Sequence, residues 1–317
     1  MKRKLIGQKD SYTLTLPKKW VKEQNLKSGD EIDIGEESNG SLSIKTSAIK
    51  PKAINIYSFD STGMTKFELE KLFRGLYRSR VEEIIVNFSN PKVWDHQNNK
   101  PTTIQKICEK MCTRLIGLEI IKQESNSLTL QCFISKDDER NMGVIKRRIF
   151  LLIKDFMDSI IENLDDFKEF QKTTYNTHDN IAKFIEYYLR ILIYSKIPSE
   201  IKSADYSLIM LLDKIVDKLR HLSDEITNKP SKKTKDYLEK LFDLFNSYYK
   251  FIYGIDNLDS KEMLNKRYML WQKIKNEKFK IDEYKILCEV LLILHTASDV
   301  FEFKRILDLQ KNIKKTN

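Results

Sequence analysis

Apolar and polar residues alternate along the first fifty positions in the manner of short β-strands. The stretch 11–16 alternates apolar side chains with hydroxyl side chains, and Pro17 ends it. Residues 17–24 then have the composition of a short helix that begins at a proline. Two further alternating stretches, 31–34 and 41–44, flank a loop bounded by glycines. The pattern predicts a small β unit with one strand, one short helix and two strands joined as a hairpin.

Between residues 52 and 135 the hydrophobic period changes repeatedly between that of a strand and that of a helix. The predicted strands are 53–57, 81–88, 117–121 and 127–133, and the predicted helices are 65–78 and 102–115. This βαβαββ order is typical of a small α/β sandwich. No glycine-rich phosphate loop occurs in it, which argues against a nucleotide site of the Rossmann or Walker type.

From Asp138 onward apolar residues recur at helical spacing almost to the C-terminus. After Gly143 only Pro198, Pro230 and Gly254 interrupt the chain, which favours long helices. Six helices are predicted, at 139–169, 175–196, 202–227, 233–253, 259–277 and 281–312. They divide into two groups of three, with a seam near Pro230.

Composition narrows the class of protein. The chain has 41% hydrophobic and 32% charged residues, which indicates a folded globular protein rather than a disordered one. Its longest apolar runs, 149–153 and 290–294, are far shorter than the roughly 20 residues of a membrane-spanning helix. Four cysteines without a regular framework favour a reducing, cytoplasmic location. The net charge of +10 is compatible with a polyanionic partner.

Positive charge is concentrated at the N-terminus. Residues 1–27 contain eight lysines and arginines against two acidic residues, whereas residues 28–50 contain two lysines against five acidic residues. This segregation favours a surface that faces phosphate groups, with an ordinary solvated surface as the alternative interpretation.

Two linked motifs in this region resemble a known family. Segment 14–21 has a strand followed by Leu-Pro-Lys and a short helix, and segment 26–34 has a Leu-x-x-Gly-Asp turn into a strand. Together they resemble the AbrB/SpoVT/MazE swapped-hairpin DNA-binding family. The resemblance implies a dimer that contacts DNA through Lys2, Arg3, Lys4, Lys9, Lys18, Lys19 and Lys22. Because only one of these is arginine, the usual reader of guanine, strong base-specific recognition is not expected. A domain that only dimerises is the alternative.

The helical half resembles a second family. Its six predicted helices in two groups of three are similar to the PhoU family of phosphate-uptake regulators. Segment 114–121, followed by segment 128–131, also resembles the stretch before the helices in archaeal proteins that fuse an AbrB-type domain to a PhoU-like one. The two resemblances imply a multidomain α+β chain. It has a swapped-hairpin β domain at 1–50, a small α/β domain at 52–135 and an all-α PhoU-like six-helix domain at 138–317.

Carboxylate pairs of the PhoU type suggest a metal site. Asp213 and Asp217 fit the family's pair with four-residue spacing, while His295 and Asp299 form a second pair in which histidine replaces the first carboxylate. The resemblance implies a divalent or trivalent metal ion on the helical domain, with further oxygen ligands from a neighbouring helix. Lys183 occupies a position where the family has a carboxylate. A solvated polar face is the alternative interpretation.

The two resemblances imply a cytoplasmic regulator. No catalytic motif links the four histidines to a nucleophile or a carboxylate pair, so no enzymatic activity is expected. The predicted protein is a homodimer that binds DNA and whose helices sense or relay phosphate status. Its expected further partners are a phosphate ABC transporter or signalling proteins. A dimeric adaptor that does not bind DNA is the first alternative. An antitoxin-like protein is the second, and the long helical half argues against it.

Overall fold

The structure is a computed structural model of the 317-residue chain. It describes residues 3–36, 40–46, 54–134, 141–164, 167–255, 260–281, 283–289, 291–293, 295, 296 and 299. The chain divides into two compact units, Met1–Ile54 and Asn55–Asn317. Within the described ranges, no helix is long and apolar enough to cross a membrane. The division into three domains stays a prediction.

The unit Met1–Ile54 contains two short hairpins and one short helix. Its elements are β1 (Leu5–Gln8), β2 (Ser11–Leu14), α1 (Lys18–Glu23), β3 (Ile32–Glu36) and β4 (Leu42–Thr46). β1 pairs with β2 and β3 pairs with β4, both antiparallel. The sequence pattern predicts every one of these elements except β1, whose four residues include a glycine and show too little alternation.

The turn between α1 and β3 explains why glycine and aspartate stand together in its motif. Gly29 has a φ of 94°, a left-handed conformation that a side chain would strain. The Asp30 carboxylate accepts a 2.7 Å hydrogen bond from the Lys27 amide, and the Asp30 amide donates to the Lys27 carbonyl at 3.2 Å. These bonds close the turn and fix where β3 begins.

The unit Asn55–Asn317 starts with an α/β layer. Its elements are β5 (Ile56–Asp60), α2 (Lys66–Arg78), β6 (Glu83–Asn87), β7 (Lys92–Asp95), β8 (Lys100–Thr103), α3 (Ile104–Arg114), β9 (Leu118–Gln123) and β10 (Ser127–Cys132). The four-stranded sheet has the order β5-β6-β10-β9, with β5 and β6 parallel and the other pairs antiparallel. Thr65 and Thr103 begin α2 and α3 by accepting hydrogen bonds from helix amides. Phe73 and Met111 are fully buried between helices and sheet.

The hairpin of β7 and β8 is missing from the sequence prediction, which places a loop there. The segment is polar and contains Pro101, so it shows no strand period. The structure holds it through Asp95, which is 4% exposed and bonded to the Lys66 ammonium at 2.7 Å and to the Asn98 side chain at 2.7 Å. Such contacts with a residue on α2 cannot be inferred from periodicity.

Long helices make up the rest of the described chain. They are α4 (Met142–Glu162), α5 (Phe167–Tyr194), α6 (Ser199–Glu225), α7 (Lys232–Tyr253) and α8 (Ser260–Asn276), and residues 283–289 and 291–293 are also helical. One continuous apolar core connects them, with Ile153, Leu189 and Leu219 fully buried. The prediction of a multidomain α+β chain with N-terminal hairpins and C-terminal helices is confirmed. The PhoU-like layout of two three-helix bundles stays a prediction, and the part of the last predicted helix after residue 299 lies outside the described residues.

The prediction of a single first helix over 139–169 is wrong. α4 ends at Glu162, and α5 begins at Phe167. Asn163 is the C-cap residue of α4: its backbone amide makes the final helical bond to the Ser159 carbonyl at 3.2 Å, and its side-chain amide donates to the same carbonyl at 2.8 Å. No glycine or proline marks the end of α4, and the helical spacing of apolar residues continues past it. The sequence pattern therefore predicts one longer helix.

The predicted break at 171–175 is also wrong, because α5 runs through it. Thr174 is buried, and the Gln171 side chain donates a 3.1 Å hydrogen bond to the Ser223 carbonyl on α6. Contacts with the neighbouring helix therefore keep a threonine-containing stretch helical despite its low intrinsic propensity.

Gly117 gives a first testable prediction about stability. Its φ is +75°, and a Cβ there would lie 2.8 Å from Ile134 Cγ1 and 3.3 Å from the Phe133 carbonyl oxygen. We expect Gly117→Ala to lower the free energy of unfolding by about 2–4 kcal/mol, from backbone strain plus a steric clash. Urea denaturation followed by circular dichroism measures this. Gly63→Ala is the matched control, because φ is +81° but no atom lies within 4 Å of the added Cβ. Equal losses of unfolding free energy for Gly117→Ala and Gly63→Ala would show that the steric clash contributes nothing.

Candidate functional site

The basic side chains predicted to contact DNA lie around β1, β2 and α1. Arg3 and Lys4 precede β1, Lys9 lies in the β1–β2 turn, and Lys18, Lys19 and Lys22 lie on α1, whereas Lys2 is outside the described residues. All six described side chains are exposed. Within the described part of this unit, the ion pair found for them is a 3.9 Å contact of Lys19 with Glu23, which is also solvent-exposed. Their positive charge is therefore available to a partner.

The same unit exposes a large apolar surface. Leu5, Ile6, Tyr12, Leu14, Ile34 and Leu42 are 44–78% exposed. Leu5 lies opposite Leu14 in the β1–β2 pairing, and Tyr12 follows on the same face. None of the residues described between 3 and 46 is buried. The described part of this β unit therefore has no buried core of its own, and its apolar surface is open to a covering partner.

The four predicted metal ligands lie in two places. Asp213 and Asp217 share one side of α6, and Asp217 lines a cavity that α6 forms with α2, α3 and α5. His295 lines a different cavity of about 300 Å³ with Arg267 and Trp271. Asp299 is half-buried and is the last described residue of the chain. Among the described residues, no group of three or more histidine, cysteine or acidic side chains is arranged to hold a metal ion.

Asp217 instead pairs with a histidine on α5. His178 Nε2 lies 3.1 Å from Asp217 Oδ1, and His178 Nδ1 lies 3.0 Å from Asp179 Oδ1. Asp179 also forms an ion pair with Arg114 on α3. Burial opposes the charge of His178, but the hydrogen bonds to Asp179 and Asp217 raise its pKa above the ordinary value. Burial likewise opposes the charge of Asp179, but bonds to His178 and Arg114 lower its pKa to about 2.

The sequence gives part of this arrangement. His178 and Asp179 are neighbours in the chain, and Asp217 belongs to a predicted carboxylate pair. Arg114 occurs in the predicted segment before the helices but carries no signal of its contact with Asp179, since the two residues lie 65 positions apart. The side of α6 predicted to be polar is therefore polar, and its partners are charged side chains of other elements.

A buried ion pair joins the α/β layer to the helices. Arg78 at the end of α2 donates to both carboxylate oxygens of Glu186 on α5, each at 2.7 Å. Arg190, one turn further along α5, donates to the backbone carbonyls of Tyr77 and Val81, the latter at 3.2 Å. Asp213 lies near Glu186 and Asp217, and burial followed by these two charges raises its pKa. The sequence pattern does not single out Arg78, Glu186 or Arg190.

His178 gives a prediction about pH. A histidine whose pKa is raised on folding stabilises the protein fully below its unfolded pKa of about 6.5 and loses this contribution as pH rises through the folded pKa. We therefore expect His178→Gln to destabilise the protein more at pH 5.5 than at pH 8.5. Urea denaturation at both pH values measures the difference. His221→Gln, at an exposed position on α6, is the control. An equal loss at both pH values would contradict the assignment.

The comparison with known families concerns the N-terminal unit. Residues 8–53 match the family model described as antidote-toxin recognition MazE, bacterial antitoxin. The match supports a MazE/AbrB-type DNA-binding domain at this end of the chain. Searches among curated proteins and among solved structures gave no match. The PhoU-like assignment of the helices stays a prediction, because the family match ends at residue 53.

Proposed function

We propose that this protein is a dimeric DNA-binding regulator. The observation that carries the proposal is the set of six exposed lysine and arginine side chains on the MazE/AbrB-type unit. DNA phosphates supply most of the affinity of such complexes, and a cluster of unburied cations matches them. Since five of the six described side chains are lysine, we expect binding that depends mainly on the backbone and only weakly on base sequence.

The dimer follows from the apolar surface of the same unit. Exposure of Leu5, Tyr12 and Leu14 on one face of a hairpin leaves its β-strands without a core. A second copy of the unit offers an equal apolar face, and a two-fold arrangement buries both. Dimerisation also doubles the number of cations on the assembled particle. The larger number of cations increases affinity for a duplex.

The finer proposal assigns the helical half to phosphate regulation. Its support is the resemblance of the predicted helices and of segment 114–121 to PhoU-like regulators. In this proposal the helices relay phosphate status to the DNA-binding unit, in the cytoplasm and without catalysis. A phosphate transporter or a signalling protein is the proposed further partner. A change in the spacing of the two DNA-binding units is the proposed means of control.

DNA binding by the full chain tests the proposal. We expect fluorescence anisotropy with a labelled duplex to show binding, with an affinity for DNA that falls steeply as the salt concentration rises. The slope of log K against log salt concentration should lie between about −5 and −11, because six to twelve cations of a dimer each contribute about −0.9. Sedimentation equilibrium on the same sample should give twice the mass of one chain.

The alternatives predict other results. A dimer that does not bind duplex DNA at 50 mM salt would contradict the DNA-regulator proposal and favour the adaptor. An antitoxin-like protein would co-purify with a toxin encoded beside it, and its helical half would be dispensable for that complex. A monomer at micromolar concentration would contradict the dimer.

A further inference from the structure

We infer that the cavity between the α/β layer and the helices binds a small molecule that carries a phosphate group. This seam cavity, of about 340 Å³, is formed by α2 and α3 on one side and by α5 and α6 on the other. Its size falls within the range of roughly 300–1,000 Å³ typical of small-molecule sites. The inference deepens the proposed function, because it identifies a place where the helical half takes up a signal.

The charge of the seam cavity favours an anion. Five lysine and arginine side chains line it against three carboxylates, so its net charge is positive even before His178 is counted. The cations are Lys71 and Arg74 on α2, Lys110 and Arg114 on α3, and Arg220 on α6. They extend from both sides of the seam. Arginine forks and lysine ammonium groups from different elements are the usual way in which proteins hold a phosphate.

Part of this charge is not neutralised within the described chain. Lys110 and Arg114 pair with Glu70, Arg114 also pairs with Asp179, and Arg220 pairs with Asp224. Among the described residues, neither Lys71 nor Arg74 forms an ion pair within 4 Å. Arg114 Nε is buried and has no hydrogen-bond acceptor in the structure. An anion bound here would accept a hydrogen bond from the buried Arg114 Nε, and the exposed Lys71 and half-buried Arg74 would add positive charge around it.

Two aromatic rings at the edges of the seam cavity bear on the nature of the ligand. Phe67 is 63% exposed and Tyr175 is 49% exposed, and both line the cavity. Lys71 lies over the Phe67 ring and Arg220 over the Tyr175 ring, with distances to the ring centroids of 5.3 and 5.5 Å. A planar base attached to the phosphate would have rings on which to stack. The phosphate group is the shared chemistry, and either free phosphate or a nucleotide supplies it.

Binding there would act on the contact between the two layers. Lys71 and Arg74 belong to the α/β layer, whereas Arg220 belongs to the helices, so one phosphate would connect both. A ligand that binds the folded seam and not the unfolded chain stabilises the fold by mass action. The thermal midpoint of the chain is therefore expected to rise with ligand concentration.

Isothermal titration calorimetry on the full chain tests the inference, with inorganic phosphate and adenosine 5′-monophosphate as separate probes. We expect saturable binding of at least one probe. Sulfate at the same concentration should bind at least tenfold more weakly, because Asp179 and Asp217 in the lining can accept a hydrogen bond from a protonated phosphate but not from sulfate. Lys71→Gln with Arg74→Gln should weaken binding at least tenfold, since it removes two of the five cations that line the cavity. Tighter binding of the nucleotide identifies the nucleotide as the source of the phosphate. Tighter or equal binding of phosphate identifies free phosphate.

Two control variants separate the seam cavity from other basic surfaces. Lys92→Gln with Lys106→Gln removes the same charge from exposed positions outside the cavity and should bind as the natural chain does. Lys18→Gln, Lys19→Gln and Lys22→Gln should lose DNA affinity but keep the ligand, so failure of the DNA proposal and failure of this inference are distinguishable. The inference is overturned if neither probe binds saturably, if sulfate binds equally well, or if the Lys71 and Arg74 variant binds unchanged.

Discussion

Glu186→Gln is expected to lower the free energy of unfolding by about 3–5 kcal/mol, among the largest effects of a single substitution in this chain. The substitution keeps the size of the side chain but removes the charge that neutralises Arg78 through two 2.7 Å hydrogen bonds. The Glu186 side chain is 8% exposed and that of Arg78 is 21% exposed, so water can replace only a small part of the lost interaction. The midpoint of urea denaturation, followed by circular dichroism, measures the loss.

Two further variants show whether the loss comes from an unpaired charge. Arg78→Met together with Glu186→Gln should be more stable than Glu186→Gln alone, because it removes the buried cation and leaves an apolar side chain near Met210. Asp158→Asn removes one partner of an exposed pair with Lys154 and should cost about 0.5 kcal/mol or less. A double variant less stable than the single variant would indicate that packing of Arg78, not its charge, decides the effect.

The second large effect is expected on DNA binding. Replacing Lys18, Lys19 and Lys22 by glutamine removes six cations from a dimer, and these side chains are exposed on α1. We expect the slope of log K against log salt to become shallower by about 5, since each phosphate contact contributes about 0.9. The corresponding loss of affinity near physiological salt is on the order of 100-fold or more. Fluorescence anisotropy at four salt concentrations measures both quantities.

A matched control variant has the same net charge as the variant that lacks Lys18, Lys19 and Lys22. Lys232, Lys240 and Lys266 are exposed on α7 and α8, and replacing them by glutamine removes the same number of charges from the helical half. This control should leave the slope within about one of its original value. Equal losses for the two triple variants would mean that overall charge, and not the N-terminal unit, determines DNA binding.

Local features of the sequence were sufficient to predict most elements of the N-terminal unit. The left-handed Gly29 and the Asp30 carboxylate form the predicted turn with bonds between neighbouring residues, so the information lies within the motif. Exposure of Lys18, Lys19 and Lys22 follows from their charge. The element missed there, β1, is defined by its pairing with β2 rather than by its own pattern. Short-range chemistry and the polar period therefore explain most of what could be predicted.

Tertiary packing decided the features that periodicity could not. Asn163 ends a helix where no glycine or proline stands, and the buried Thr174 lies within α5 where the sequence suggests a break. In each case the sequence signal is weak and a specific hydrogen bond or contact outweighs helix propensity.

The sequence by itself determined most of the elements, the segregation of charge at the N-terminus and the polar face of α6 on which Asp213 and Asp217 lie. Only the tertiary structure decided what that face meets. His178 lies 39 positions from Asp217 and Glu186 lies 108 positions from Arg78, yet packing of the helices against the α/β layer brings each pair together. The physical reason is that a period shows which side of a helix is polar, whereas the partner depends on how separate layers are oriented when their apolar faces are buried.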